Sequence, residues 1–322
     1  MRNNIKDYQW PSFFINLIQN YNTEYEKTID TKLINELEKF FEKYYGFNIV
    51  LFPSARAGLA SILRFLEIDR SNEVFVNKWV SYCVFNTVGK FTNISTSFNA
   101  PDVALAIHKW GFKQIIPRKK NLKIIEDSVD SIFLSTKDLF INEGNFEIVS
   151  LPKIIGSVSG GIVITKDKNF YNYAKKEQTK NKELGQYQSR RKFEEVKKIK
   201  TFHTWLYHES TNTFLEYNSL INIKKNIKNL QINKNIILER QKYFRENFNK
   251  LSFKFDRLGP VIPIKYELIK NHDLISKHFL LRQIHASKYK IDTFKKVYLL
   301  PIHFKITSRK FKFYLTILKK CL

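Results

Sequence analysis

Apolar residues recur at helical spacing from Thr28 to Tyr45, with Leu33, Ile34, Leu37, Phe40, Phe41 and Tyr44 on one face, and this predicts an amphipathic helix. From there to about residue 170 the pattern shortens. Brief runs rich in β-branched residues at 48–52, 73–77, 93–98, 103–108, 123–126, 146–150 and 161–165 predict strands. Helical stretches at 57–66 and 80–88 fall between them. Such alternation argues for an α/β fold, a mainly parallel sheet covered on both faces in three layers. After about residue 168 the pattern changes again. It predicts a helix at 169–182, a charged exposed helix or loop at 186–200 and one long helix over about 221–251. Apolar segments follow at 253–255, 261–266 and 297–300, with a terminal helix at 307–322. The division expected is a large α/β domain over 1–200 and a smaller C-terminal α+β domain over 201–322. No Gly/Ser-rich linker separates the two, so they should pack closely.

Composition narrows the classes. Of 322 residues 43% are hydrophobic and 15% aromatic, which excludes a disordered or fibrous chain. Two cysteines, Cys83 and Cys321, exclude a disulfide framework and a thiolate zinc site and fit a reducing compartment. His203 and His208 are five residues apart and His272 and His278 stand alone, so no metal is expected. The N-terminus carries charges inside its apolar stretch, unlike a signal peptide, and no window approaches about 18 apolar residues, so a cytoplasmic location is expected.

Charge is the unusual quantity: 55 Lys and Arg against 30 Asp and Glu, net +25. The lysines are spread along the chain among Asn and Ile. The densest runs, Lys175–Lys200 and Lys224–Lys234, read as solvated helix faces rather than a nucleic-acid module. No nucleic-acid partner is expected. The charge would draw phosphate-bearing ligands, or attach the protein weakly to an anionic membrane surface.

Three segments could carry chemistry. In LFPSARAGLASIL (51–63) a strand gives way to a helix whose first turn, Ser54, Ala55 and Arg56, could hold a phosphate with free N–H groups; Ser54 could equally be an ordinary N-cap. In LKIIEDSVDSI (122–132) the pair Glu126-Asp127 ends a buried strand, where a carboxylate can meet a cationic ring or merely cap the next helix. In EIVSLPKIIGSVSGGIVITKD (147–167) Lys153 lies between two apolar strands ahead of Gly160-Gly161. Its amine could serve as a nucleophile, or the side chain could snorkel to solvent.

The order and spacing of these segments resemble the DegT-type (DegT/DnrJ/StrS) sugar aminotransferases, pyridoxal-phosphate enzymes of the aspartate-aminotransferase fold. The matching stretches are Ile125–Val129; Ser150, Lys153 and Gly160–Thr165; Ile107–Gly111; and Leu300–His303. The resemblance implies that Lys153 bonds the cofactor aldehyde and later shuttles a proton, and that Asp127 holds the pyridine nitrogen protonated. It also implies that Ser54, Ala55 and Arg56, with Ser150, anchor the phosphate, and that Trp79 or Tyr82 stacks on the ring. Asn218 is similar to a residue that reaches the neighbouring subunit's phosphate in family dimers. The activity implied is amino transfer from glutamate to a keto-sugar, nucleotide-linked, in surface polysaccharide and glycan synthesis, by a homodimer with shared active sites.

The chain also departs from that pattern. Asp130 stands where Gln or His usually contacts the cofactor hydroxyl, and a carboxylate there would repel a phenolate unless protonated or turned away. Ile148 occupies the usual Ser position five residues before the lysine, while Ser150 is three before it. Leu220 replaces an Arg, and the stretch between Phe98 and Val103 is short enough to lack a strand–helix section. These departures leave room for a divergent relative: a lyase or decarboxylase, or a non-catalytic subunit.

Overall fold

The computed structural model describes residues 11, 30–133, 135–178, 213, 215, 217–253, 257–287 and 289–322; the side chains of Asn218 and of residues 290–292 lie outside it. The first helix, α1 (Thr31–Tyr45), starts where the Asp30 carboxylate accepts from Leu33 N (2.8 Å) and ends on the left-handed Gly46.

Seven strands form the main sheet: β1 (Asn48–Phe52), β2 (Glu73–Phe75), β3 (Asn93–Ser95), β4 (Val103–Ile107), β5 (Lys123–Asp127), β6 (Phe146–Ser150) and β7 (Gly161–Thr165). Their order is β1-β7-β6-β5-β4-β2-β3, and β7 alone runs against its neighbours. All seven fall where the sequence predicts them. Helices α2 (Ala55–Phe65), α3 (Tyr82–Val88), α4 (Leu151–Ile154) and α5 (Lys168–Glu177) lie between or beside them.

The strands are apolar on both faces because both faces are covered. Ile49, Leu51, Ile162 and Ile164 point into a core shared with α1 and the C-terminal part of the chain. Val50, Phe52 and Val163 point the other way, into a core with Leu59 and Ile62 of α2 and Phe170 of α5. That period-two split produces three layers from a continuous apolar run, each fully buried Leu or Ile contributing about 2 kcal/mol. The short stretch near residue 100 is the link from β3 to β4. Residues 96–102 cross β2 without a helix, where a parallel crossover usually needs about a dozen residues or more.

Further along, the structure corrects two readings. The single long helix over 221–251 is two helices, α6 (Tyr217–Asn226) and α7 (Asn229–Phe248), followed by a 3-10 turn at Asn249–Leu251. Asparagines break it: Asn226 Nδ2 bonds Asn222 O (2.8 Å), and Asn229 Nδ2 bonds Asn226 Oδ1 (3.0 Å) and Ile155 O (3.1 Å), competing with the helical ladder. The second correction is a strand the pattern misses. Beyond β8 (Val261–Lys265) and the short α8 (His272–Ser276), β9 (Leu280–Ser287) pairs with the twelve-residue β10 (Lys290–Pro301) in an antiparallel sheet ordered β8-β10-β9. The final helix α9 (Ser308–Cys321) packs Tyr314 and Leu318 into the same core as α1, so the two parts of the chain share one apolar interior. The expected boundary near residue 200, and the segment at 186–200, lie outside the described residues. Among the described residues no helix is long and apolar enough to cross a membrane.

Candidate functional site

Strand register brings the predicted residues to one edge of the sheet. Ile107 at the end of β4 pairs with Asp127 at the end of β5, which pairs with Ile148 in β6. Ser150 ends β6 opposite Gly161, and Gly161 is opposite Phe52 at the end of β1. The carboxyl ends of β1, β4, β5 and β6 therefore meet the amino end of β7, the edge at which open α/β sheets bind ligands.

Asp127 lies here in the strand itself, buried, with Val129 N donating to its Oδ1 (3.1 Å). Burial raises its carboxyl to about 6, and the bond from Val129 and the charges of Lys153 and Lys109 only partly offset this. A carboxyl so placed gains by meeting a cation. Lys153 is in α4, immediately after β6. Its Nζ is 2.8 Å from Asp130 Oδ1, with 27% of the lysine side chain exposed against 8% for the aspartate. The lysine is thus turned inward onto Asp130, the carboxylate that the sequence sets where a cofactor hydroxyl is expected.

Ser54 caps α2 by accepting from Ala57 N (3.1 Å), so the first turn of α2, with the positive end of its dipole, opens on this edge of the sheet. The Gly160-Gly161 pair determines where that turn sits: Gly160 N donates to Pro53 O (2.8 Å), and a Cβ on Gly161 would stand 2.3 Å from Ala55 N. Gly161→Ala is therefore expected to push the first turn of α2 off β7. The expected cost is about 1–3 kcal/mol of stability, read as a lowered thermal midpoint, together with weaker phosphate binding at the turn, read by cofactor titration.

The remaining predicted residues are placed as follows. Trp79 is buried and stacks on His285 of β9 (ring centroids 5.5 Å apart, 30° between planes). Tyr82 opens α3 and is 70% exposed. Ser150 is the N-cap residue of α4, its hydroxyl making no capping bond. Asn218 falls in the first turn of α6, and its side chain lies outside the described residues. No group of three His, Cys, Asp or Glu able to hold a metal occurs among the described residues.

Sequence reasoning passed over the supports of this site. After β4 the chain turns sharply through Trp110 (φ 52°) and Gly111 (φ 84°). His108, fully buried, accepts from Gln114 N at Nδ1 (3.1 Å), so Nε2 carries the hydrogen and donates to Glu126 Oε2 (2.7 Å). Burial holds its pKa well below the ordinary imidazole value, so the ring is neutral. Its neighbour Lys109 is also buried, and its pKa is lowered to about 8, first by burial. Arg257 and Glu147 form a fully buried ion pair (2.9 Å) directly behind the Asp127 loop. His108, Lys109, Trp110, Gly111, Glu126 and Glu147 fall within segments noted in the sequence, though not for these contacts, and no local pattern marks Arg257.

The residues fit pyridoxal phosphate. An undercompensated carboxyl suits the ring nitrogen, an inward amine suits the aldehyde, and a helix N-terminus seated on a Gly-Gly strand suits the phosphate.

Comparison with known proteins agrees. A family model described as "Putative PLP-dependent aminotransferase" matches residues 37–320. Among solved structures, the chain is similar to a DegT DnrJ EryC1 StrS aminotransferase from Brucella abortus, with TM-score 0.60 and 12% identity over 92% of this chain and 91% of that one. It is similar to a GDP-4-keto-6-deoxymannose-3-dehydratase bound to GDP-perosamine, with TM-score 0.59 and 13% identity over 89% and 92%. It also resembles serine palmitoyltransferase from S. paucimobilis, with TM-score 0.56 and 9% identity over 91% and 77%. A search of the curated proteins gives no match.

Proposed function

The chain belongs to a family of pyridoxal-phosphate-dependent aminotransferases, and from that premise we propose that it moves an amino group from glutamate to a nucleotide-linked keto-sugar destined for surface polysaccharides or glycans. The observation that carries this reading is the grouping of Asp127, Asp130 and Lys153 at one sheet edge, beside the N-terminus of α2. The sugar-nucleotide part draws on the fold shared with the DegT-type enzyme and the dehydratase.

Bound cofactor supplies an electron sink for a C–H bond next to nitrogen. Everything else falls to the chain. The Asp127 carboxylate pairs with the protonated ring nitrogen, and the first turn of α2 holds the phosphate. Lys153 Nζ takes the α-proton of the amino donor and, in the second half of the reaction, gives a proton to the sugar carbon that receives nitrogen. Asp130 orients that amine and balances its charge when it is protonated. Burial of Asp127 and Asp130 keeps water from weakening these interactions. We take the working unit to be a homodimer in which Asn218 of each subunit reaches the other's phosphate.

The donor half-reaction tests this. Cofactor-loaded protein given glutamate and no acceptor should release one 2-oxoglutarate per site, with loss of the cofactor's near-visible absorbance. Loaded protein that releases no 2-oxoglutarate, while it eliminates or decarboxylates an amino acid, would overturn amino transfer in favour of lyase chemistry.

A further inference from the structure

Beside the Asp127–Lys153 group, the edge of the small sheet and the large domain enclose a cleft of about 350 Å³. Its wall includes Trp79, Ser81, Lys109, Arg282, Gln283 and Lys296. Among the described residues three cations line it and no carboxylate does.

Lys109 is the telling member. It is 8% exposed, and its Nζ lies against the main-chain carbonyls of Gln283 (3.1 Å) and Trp79 (3.5 Å). The rings of Trp79 and Trp110 are at 5.1 and 4.7 Å. Among the described residues it has no carboxylate within ion-pair distance. An ammonium buried this way is costly to hold unless an anion meets it. Arg282 and Lys296 stand exposed at the rim, on paired strands and one register step apart: Lys296 faces Gln283, and Val297 faces Arg282. Charge therefore runs from the floor of the cleft to its rim.

One carboxylate would balance a single cation. A diphosphate carries successive charges along its length and suits a floor lysine with a rim arginine and lysine. The volume lies at the small end of ligand sites, enough for a diphosphate with part of its sugar. We infer that Lys109, Arg282 and Lys296 form the subsite that holds the diphosphate of the substrate, so that the attached sugar projects toward Lys153. This rests on the keto-sugar reading above.

Titration of inorganic pyrophosphate, UDP, GDP and dTDP into the cofactor-loaded protein, followed by tryptophan fluorescence, tests the assignment, since Trp79 lies in the wall. Saturable quenching is expected. Arg282→Gln and Lys109→Gln should each weaken binding at least tenfold, Lys296→Gln should weaken it measurably, and Lys320→Gln, an exposed cation of the last helix, should bind pyrophosphate within about twofold of the parent. Arg282→Gln and Lys296→Gln change exposed side chains, so the test stands even if Lys109→Gln fails to fold. Glutarate should bind at least tenfold more weakly than pyrophosphate. The assignment is overturned if binding is indifferent to Arg282, if glutarate binds as well, or if pyrophosphate releases the cofactor, which would place the anion at Ser54. Release of 2-oxoglutarate from glutamate without pyrophosphate binding would remove the subsite and leave amino transfer intact. Pyrophosphate binding with these dependences but no 2-oxoglutarate would do the reverse.

Discussion

Lys153→Ala should lower turnover by about ten-thousandfold, because in the proposed reaction one amine would both hold the cofactor and carry the proton. The same role predicts that borohydride treatment of the loaded wild-type protein fixes cofactor mass to the peptide containing Lys153. Among the described residues Lys109 is a rival amine, close enough for Lys153, Asp127 and Asp130 to influence its protonation. The geometry argues against it. Two carbonyl oxygens and two indole faces hold its Nζ in place, whereas Lys153 is partly exposed, with its Nζ on the Asp130 carboxylate. Labelling at Lys109, or turnover surviving in Lys153→Ala, would sink the assignment. Loss of the lysine also strands Asp130, 8% exposed, so some instability should accompany the variant. Adding Asp130→Asn should restore stability without restoring turnover, which separates chemistry from folding.

The parts of this molecule legible in the sequence are those written in local pattern. Seven short apolar runs mark the seven strands of the large sheet, and the two residues proposed for the chemistry stand at strand ends: Asp127 closes β5, and Lys153 comes three residues after β6. What stayed hidden depends on partners far away in the chain. Lys109 is one of 55 cations, and only its burial between β4 and β9 sets it apart. β9 reads LLRQIHAS, whose burial shows no clean alternation, because an edge strand packed against Trp79 and Lys109 is not a simple inside–outside surface. The helix expected over 221–251 failed for a local reason read too weakly: Asn222, Asn226 and Asn229 bond each other and the backbone where the helix breaks. The aspartate at position 130 was the reverse case. Its presence was noted as a conflict with the cofactor, but its pairing with Lys153 requires the turn after β5 to face α4, which spacing alone does not state.

Arg257 is the residue whose loss should cost most in stability. Its guanidinium meets the Glu147 carboxylate at 2.9 Å with neither side chain exposed, donates to Ser128 Oγ (2.5 Å) and to the Asp138 carbonyl, and lies 4.7 Å over the Phe133 ring. Glu147 is otherwise held by Ser128 Oγ (2.5 Å) and Phe140 N (2.6 Å). Removing one member leaves the other charged and dry, so Glu147→Ala should cost about 3–5 kcal/mol. For a chain of this length that lowers the thermal midpoint by on the order of ten degrees. Pairing Glu147→Leu with Arg257→Met should recover part of the loss, and only part, because the Asp138 carbonyl and Phe140 N would still lack their partners. A midpoint for Glu147→Ala within about a degree of the parent would refute this. The effect should also reach the site. Ser128 follows Asp127 directly, and the backbone beside Arg257 is locked to the turn that carries Lys109: Arg257 N donates to Gly111 O (3.0 Å), and Leu258 exchanges bonds with Ile132. Gly111 and Gly259 leave no room for a Cβ at this junction, each meeting backbone within 2.7 Å. A Glu147 variant that still folds should therefore bind the cofactor more weakly than its thermal midpoint alone implies, because Asp127, the carboxylate proposed to meet the ring, has lost the wall behind it.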